Sequence, residues 1–165
     1  MDTTTAATQA RVSVATIRHW CRYGAVAAAK VAGRWVIEAA SLARRIALTA
    51  KKRAVELTTK TMTAIGGNRW TKNGHDRVYL NNWVDFARIE TSHYNTGNIS
   101  SATYQGETIS NSQAGRLLGC IDKVWFDAAD GKLHCRYGYT ESRVATRDEV
   151  WSAVVSGVRA TIAAL

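Results

Sequence analysis

Residues 5–46, TAATQARVSVATIRHWCRYGAVAAAKVAGRWVIEAASLARRI, set short apolar stripes between two well-placed breaks. Ala6, Ala7 and Ala10 give a first short helix a small inner face. Ser13 interrupts it, because a serine ahead of a helix accepts from the unpaired N–H groups of the first turn. A second helix therefore starts near Val14. Within it Ile17, Trp20 and Cys21 recur three and four apart, the spacing that buries one stripe, and Thr16, Arg18, His19 and Arg22 fall on the outer faces. Gly24 supplies the left-handed residue that ends the helix. Val26–Lys30 and Arg34–Ile37 then read as two short strands around Val31-Ala32-Gly33, a tight hairpin with a basic residue on each arm.

This segment resembles the excisionase and MerR-like winged helix-turn-helix group over residues 1–48. There, Val-Ser followed by Thr-Ile-Arg-x-Trp opens the recognition helix, and Gly-Arg-Trp-x-Ile closes the wing. Val12-Ser13, Thr16-Ile17-Arg18, Trp20, Gly24, Gly33-Arg34-Trp35, Ile37 and Leu42 match. Arg11 departs from the pattern, standing where the group usually has a turn glycine, and Ala27 stands where the wing often begins with proline. The resemblance implies a helix from Val14 to Arg22 that enters the major groove of double-stranded DNA. The DNA-facing set it implies is Ser13, Thr16, Arg18, His19 and Arg22 on the helix, with Lys30 and Arg34 on the wing. Trp20 and Trp35 are expected to core the domain.

Charge follows the same division. Residues 1–65 hold 11 Lys and Arg against 3 Asp and Glu, a balance of +8, and residues 66–165 hold 11 against 10, a balance of +1. An excess of positive charge confined to the half that carries the helical pattern suits neutralisation of phosphates. Cys21, Cys120 and Cys135 are odd in number and far apart, which argues against a disulfide framework and for a reducing, cytoplasmic setting. No apolar run is long enough to span a bilayer, so no membrane is expected, and the N-terminus carries no secretory signal pattern.

From Ser41 the chain is rich in helix formers and has no glycine until Gly66, so residues 49–65 read as a helical connector. Leu48, Val55 and Met62, seven apart and accompanied by Ala47 and Ala54, offer a narrow seam for pairing two chains as a homodimer. The alternatives are a seam packed on its own domain and a frayed linker weakened by Thr58, Thr59, Thr61 and Thr63. Arg44, Arg45, Lys51, Lys52 and Arg53 are candidates for backbone phosphate contacts.

Residues 66–165 read as an α+β domain of unknown role. Asn73-Gly74 predicts a hairpin between Arg69-Trp70 and Arg77–Leu80, and Asp130-Gly131 a second between residues 123–127 and 132–137. Residues 91–112 read as loop with one short strand. Ser110 with Gln113, and Thr146 with Glu149, make capping boxes ahead of helices over 114–121 and 150–165. The expected architecture is a small mixed sheet of two hairpins covered by two helices, cored by Trp70, Tyr79, Trp83, Trp125, Phe126 and Trp151. Arg69, Lys72 and Arg77 on the first hairpin are a candidate secondary DNA contact.

No catalytic residues, metal site or cofactor are expected. His75-Asp76 with Asn81, Asn82 and His93 offers nuclease-like residue types without a ligand spacing, and Cys120, Cys135 and His134 lack a paired zinc motif. Neither a phosphate-cradling glycine motif nor a nucleophile elbow is present. The reading is a sequence-specific double-stranded DNA-binding protein, a transcription regulator of phage or plasmid type. Its alternatives are a recombination directionality factor (excisionase) and an adaptor whose C-terminal half binds a protein.

Overall fold

The computed structural model describes residues 1–138 and 147–165. Among them are six helices and three antiparallel sheets, a mixed α and β architecture. The chain divides into two compact units, Met1–Ala54 and Val55–Leu165.

The first unit opens with α1 (Thr3–Ala10) and α2 (Val14–Arg22). Asp2 caps α1 by accepting from the backbone N–H groups of Thr4 and Thr5 at 2.8 and 2.9 Å. Ser13 caps α2 as its sequence position requires. Strands β1 (Ala28–Val31) and β2 (Arg34–Ile37) pair Val31 with Arg34. The turn is therefore two residues, Ala32-Gly33, with φ of 47° and 79°. It is one residue shorter than expected because two left-handed residues match the twist of the strands they join. Ala6, Ala7, Ile17, Cys21, Val26, Ile37 and Leu42 form the core, and Trp20 and Trp35 pack against it half-buried.

Helix α3 (Ala39–Ala64) spans 26 residues, so the segment expected as a connector is its C-terminal stretch. Thr59, Thr61 and Thr63 do not break it; each hydroxyl donates to the carbonyl four residues earlier. The apolar seam along α3 is divided. Met62 is fully buried in the core of the second unit, Val55 packs against that core, and Leu48 is 54% exposed.

The second unit joins its two hairpins into one sheet. Strands β3 (Gly67–Lys72), β4 (His75–Leu80), β8 (Ile121–Asp127) and β9 (Lys132–Tyr137) lie in the order β3-β4-β8-β9. All pairings are antiparallel, correcting the expected mixed sheet. Both hairpin turns stand where Asn73-Gly74 and Asp130-Gly131 place them, with Gly74 at φ 77° and Gly131 at φ 74°. Between the hairpins lie α4 (Trp83–Phe86) and a second sheet of β5 (Ile89–His93), β6 (Ile99–Tyr104) and β7 (Glu107–Ile109).

That three-stranded sheet replaces the loop expected over residues 91–112. Its buried side chains, Ile89, Ala102 and Tyr104, are too few and too varied in size to register as an apolar stripe. Its turn is Gln105-Gly106, with Gln105 in the left-handed region at φ 53°, a dipeptide outside the usual turn vocabulary. Helix α5 (Asn111–Cys120) begins at the Ser110–Gln113 capping box, with both reciprocal hydrogen bonds formed. Helix α6 (Arg147–Ala163) buries Val150, Val154 and Val158. Thr146 of the second expected capping box lies outside the described residues.

Two of the residues expected in the core, Trp83 and Phe126, are buried. Tyr79, Trp125 and Trp151 are half-buried and Trp70 is exposed. The core is instead mainly aliphatic: Val78, Leu80, Leu117, Ile121, Val124 and the three valines of α6, with Met62. In β4 and β8 these aliphatic residues alternate with Arg77, Tyr79 and Trp125, which the strand period turns to the opposite face. Among the described residues no helix is long and apolar enough to cross a membrane.

Candidate nucleic-acid interface

In the first unit the path from sequence to a reactive surface is short. Ser13 Oγ accepts from the Thr16 backbone N–H at 3.1 Å and lies 2.9 Å from Thr16 Oγ1. The pair fixes the first turn of α2. With Ile17 and Cys21 turned inward, Arg18, His19 and Arg22 are left exposed on the remaining faces. Tyr23 follows at 75% exposure, its ring 4.4 Å from that of His19.

Lys30 and Arg34 stand at the tip of the β1–β2 hairpin, Lys30 opposite Trp35, and both are exposed. Neither they nor Arg18 and Arg22 form an ion pair within 4.0 Å among the described residues. Unpaired exposed cations keep their whole charge available to a partner. Arg44, Lys51, Lys52 and Arg53 are likewise exposed along α3.

Arg45 behaves differently from its neighbours. Its guanidinium lies 5.2 Å from the centre of the Trp20 ring, and its Nε is buried with no hydrogen-bond partner among the described residues. The attraction of the cation for the ring face offsets part of that loss. Arg45 thus holds Trp20 in place, a role its sequence position does not announce, since the two residues lie on different helices. Tyr23 was also missed, because a tyrosine at a helix end reads equally well as a packing residue. Burial pushes the Cys21 thiol above its ordinary value, as suits a small apolar filler.

The four-stranded sheet of the second unit treats its arginines in the opposite way. Arg69 grips Asp76 through Nε at 2.9 Å and Nη2 at 2.7 Å, and these hydrogen bonds hold the Asp76 carboxyl below the usual carboxylate range. Arg77 donates to Asp127 at 2.9 Å, and Arg136 is paired with Asp122. Of the candidate secondary contacts, Lys72 alone has no ion pair among the described residues. The strand register also separates them: Arg69 opposes Val78 on the core side of the sheet, whereas Lys72 and Arg77 lie on the outer side.

The nuclease-like residue types are dispersed. Asp76 serves Arg69, His75 lies beside the Trp70 ring at 6.3 Å, and His93 is exposed on β5. Among the described residues no three His, Cys, Asp or Glu side chains converge as a metal site. Cys120 is buried and Cys135 half-buried. No protein-family model, curated protein or solved structure matches this chain.

Proposed function

We propose that the N-terminal unit is the reading head of a sequence-specific double-stranded DNA-binding protein, a winged helix-turn-helix used as a phage- or plasmid-type transcription regulator. Helix α2 enters the major groove and the β1–β2 hairpin follows the adjacent backbone. The observation that carries this reading is the set of exposed cations Arg18, Arg22, Lys30 and Arg34 on α2 and the hairpin, none of them ion-paired among the described residues. The contrast with Arg69 and Arg77 of the β3–β4 hairpin, each paired with a carboxylate, supports assigning the duplex phosphate contacts to the first unit rather than to that hairpin.

Arg18 and His19 lie far enough along α2 to reach base edges, and Arg22, Lys30 and Arg34 serve the phosphates. The Ser13–Thr16 pair offers hydroxyls at the helix N-terminus, where anions bind favourably. Tyr23 joins this surface as an aromatic that contacts sugar or backbone. No catalytic step belongs to the proposal.

Selection from a random duplex library with the full chain tests it. Enrichment of one short motif is the expected result, and Arg18→Ala then weakens binding to that motif by about 1–3 kcal/mol while relaxing one position. Arg22→Ala instead weakens all duplexes alike and reduces the salt dependence, on the order of one phosphate's share. A chain that enriches no sequence at near-physiological salt refutes the reading. A chain that enriches attachment-site DNA and bends it, without affecting a promoter, would make it a recombination directionality factor.

A further inference from the structure

The outer face of the four-stranded sheet is not the blank surface that such a face usually is. Across β3, β4, β8 and β9 the register aligns Asn68, Tyr79, Trp125 and His134 in one row. The Tyr79 and Trp125 rings are 6.0 Å apart and those of Trp125 and His134 5.7 Å apart. The next row sets Trp70 opposite Arg77 and Asp127 opposite Lys132, and on the other side Lys123 opposes Arg136.

Three properties of this face point to one chemistry. First, its aromatics are not needed for the core: Val78, Leu80, Val124 and Phe126 already fill the inner side, and Trp70 remains 39% exposed. Second, Trp70 and Tyr79 line a cleft of about 360 Å³ with Asn68, Asn81 and Lys123 among its walls. It offers a flat apolar wall, amide groups that donate and accept, and a cation in one recess. Third, Lys72, Lys123 and Lys132 have no ion pair among the described residues, although Arg77 and Arg136 are matched by Asp127 and Asp122. The face therefore keeps a net positive charge beside its rings.

We propose that this face binds single-stranded nucleic acid, with a base in the Trp70–Tyr79 cleft and Lys123 on its phosphate. A base in a duplex has both of its faces covered by neighbouring bases, so a ring lying on a sheet cannot reach them. A single strand exposes those faces, and aromatic stacking together with lysine contacts to the backbone is the economical way to hold it. A four-stranded sheet has room for about two or three stacked bases. Asp122, which also lines the cleft, is held by Arg136 and so adds little repulsion. This inference stands on the second unit alone and does not require the duplex-reading head.

The test uses the full chain carrying Arg18→Ala and Arg22→Ala to silence the head, with fluorescein-labelled oligo-dT and oligo-U of about 15 nucleotides. Salt-dependent binding of either probe is expected, weakened on the order of tenfold by Trp70→Ala and largely restored by Trp70→Phe. Lys123→Gln should lower the salt dependence without abolishing binding. A preference between the two probes assigns the face to DNA or to RNA, and either supports the proposal. Absence of binding, binding indifferent to Trp70→Ala, or displacement by poly-glutamate as readily as by oligo-dT overturns it, the last by making the ligand an acidic peptide. Circular dichroism of each variant separates lost binding from lost fold, and Trp70, being exposed on an edge strand, is the safest position to change.

Discussion

Arg77 and Asp127 are directly opposed in the register of β4 and β8, and their side chains close the pair with an Nε to Oδ2 hydrogen bond of 2.9 Å. The Asp127 side chain is 13% exposed and also accepts from the Ala129 backbone N–H through Oδ1 at 3.0 Å. The same guanidinium lies 5.5 Å from the centre of the Trp125 ring. One carboxylate therefore ties the hairpin turn to the neighbouring strand and fixes the cation beside the outer aromatic row.

Asp127→Asn keeps the shape and removes the charge, so a loss of about 1–3 kcal/mol at neutral pH is expected, read by urea denaturation. The Ala129 N–H first, and then Arg77, hold the Asp127 carboxyl below the usual carboxylate range. A depressed folded value means that the stabilisation is present above the unfolded carboxylate pKa of about 3.9 and is lost as pH falls through the folded value. The gap between wild type and variant should accordingly shrink in acid below about pH 4. A gap that is constant with pH would show that packing, not charge, was lost.

How much of this was legible in the chain depends on distance along it. Ser13 and Ser110 were readable as caps because a cap is settled within four residues, and Asn73-Gly74 because a two-residue turn dictates its own geometry. Hydrophobicity alone puts Trp70 and Trp125 in the core, whereas the strand period turns both to the outer face. Val124 and Phe126 flank Trp125 and are both buried, and alternation then forces the tryptophan outward. The Arg77–Asp127 pair joins residues 50 apart and needs the β4–β8 pairing before it can be seen. The sheet of β5 to β7 was hidden for a third reason: its strands are built of Thr and Ser, whose preference for strands appears only once a packed surface supports them.

Arg11 offers a test of the turn between α1 and α2. It holds φ 53° and ψ 45°, with its N–H directed to the carbonyls of Ala7 and Thr8, the geometry in which a helix usually ends on glycine. A side chain in that region is strained by about 1 kcal/mol or more. Arg11→Gly should raise the melting midpoint, worth about 0.5–1 kcal/mol once the greater freedom of glycine in the unfolded chain is subtracted. Arg11→Ala keeps the Cβ and should gain nothing. Equal effects of the two would place the cost in the arginine charge instead of the backbone.

Tyr137 should reveal itself in alkali. Burial first, and then its hydrogen bond with Cys135, push the phenol up to about 12. A folded value above the unfolded value of about 10 gives a stabilisation that is complete below pH 10 and lost as pH rises towards 12. An ultraviolet phenolate titration should show a late phase that disappears in Tyr137→Phe. Stability in that variant should also fall less steeply across the same window. If the late phase persists in Tyr137→Phe, the assignment is wrong and Tyr104, which burial also pushes upward, becomes its source.

Two helix glycines should respond to alanine with opposite signs. Gly115, exposed in α5, has open space where a Cβ would stand, so only the helix preference for alanine acts, and Gly115→Ala should stabilise by about 0.8–1 kcal/mol. Gly157 in α6 lies against α4, and a Cβ there would come within 2.2 Å of the Phe86 carbonyl oxygen. That atom belongs to the backbone and cannot rotate aside, so α6 would have to move away from α4. Loosening this contact disturbs the packing of Val154 and Val158, and overpacking of this kind costs about 1–3 kcal/mol, more than the helix preference returns. Thermal melts of the two single variants and their double check the signs, and because a Cβ on Gly115 would meet nothing while one on Gly157 meets Phe86, the double should be the sum. Stabilisation by Gly157→Ala would mean that α6 does not approach α4 as closely as its glycine permits.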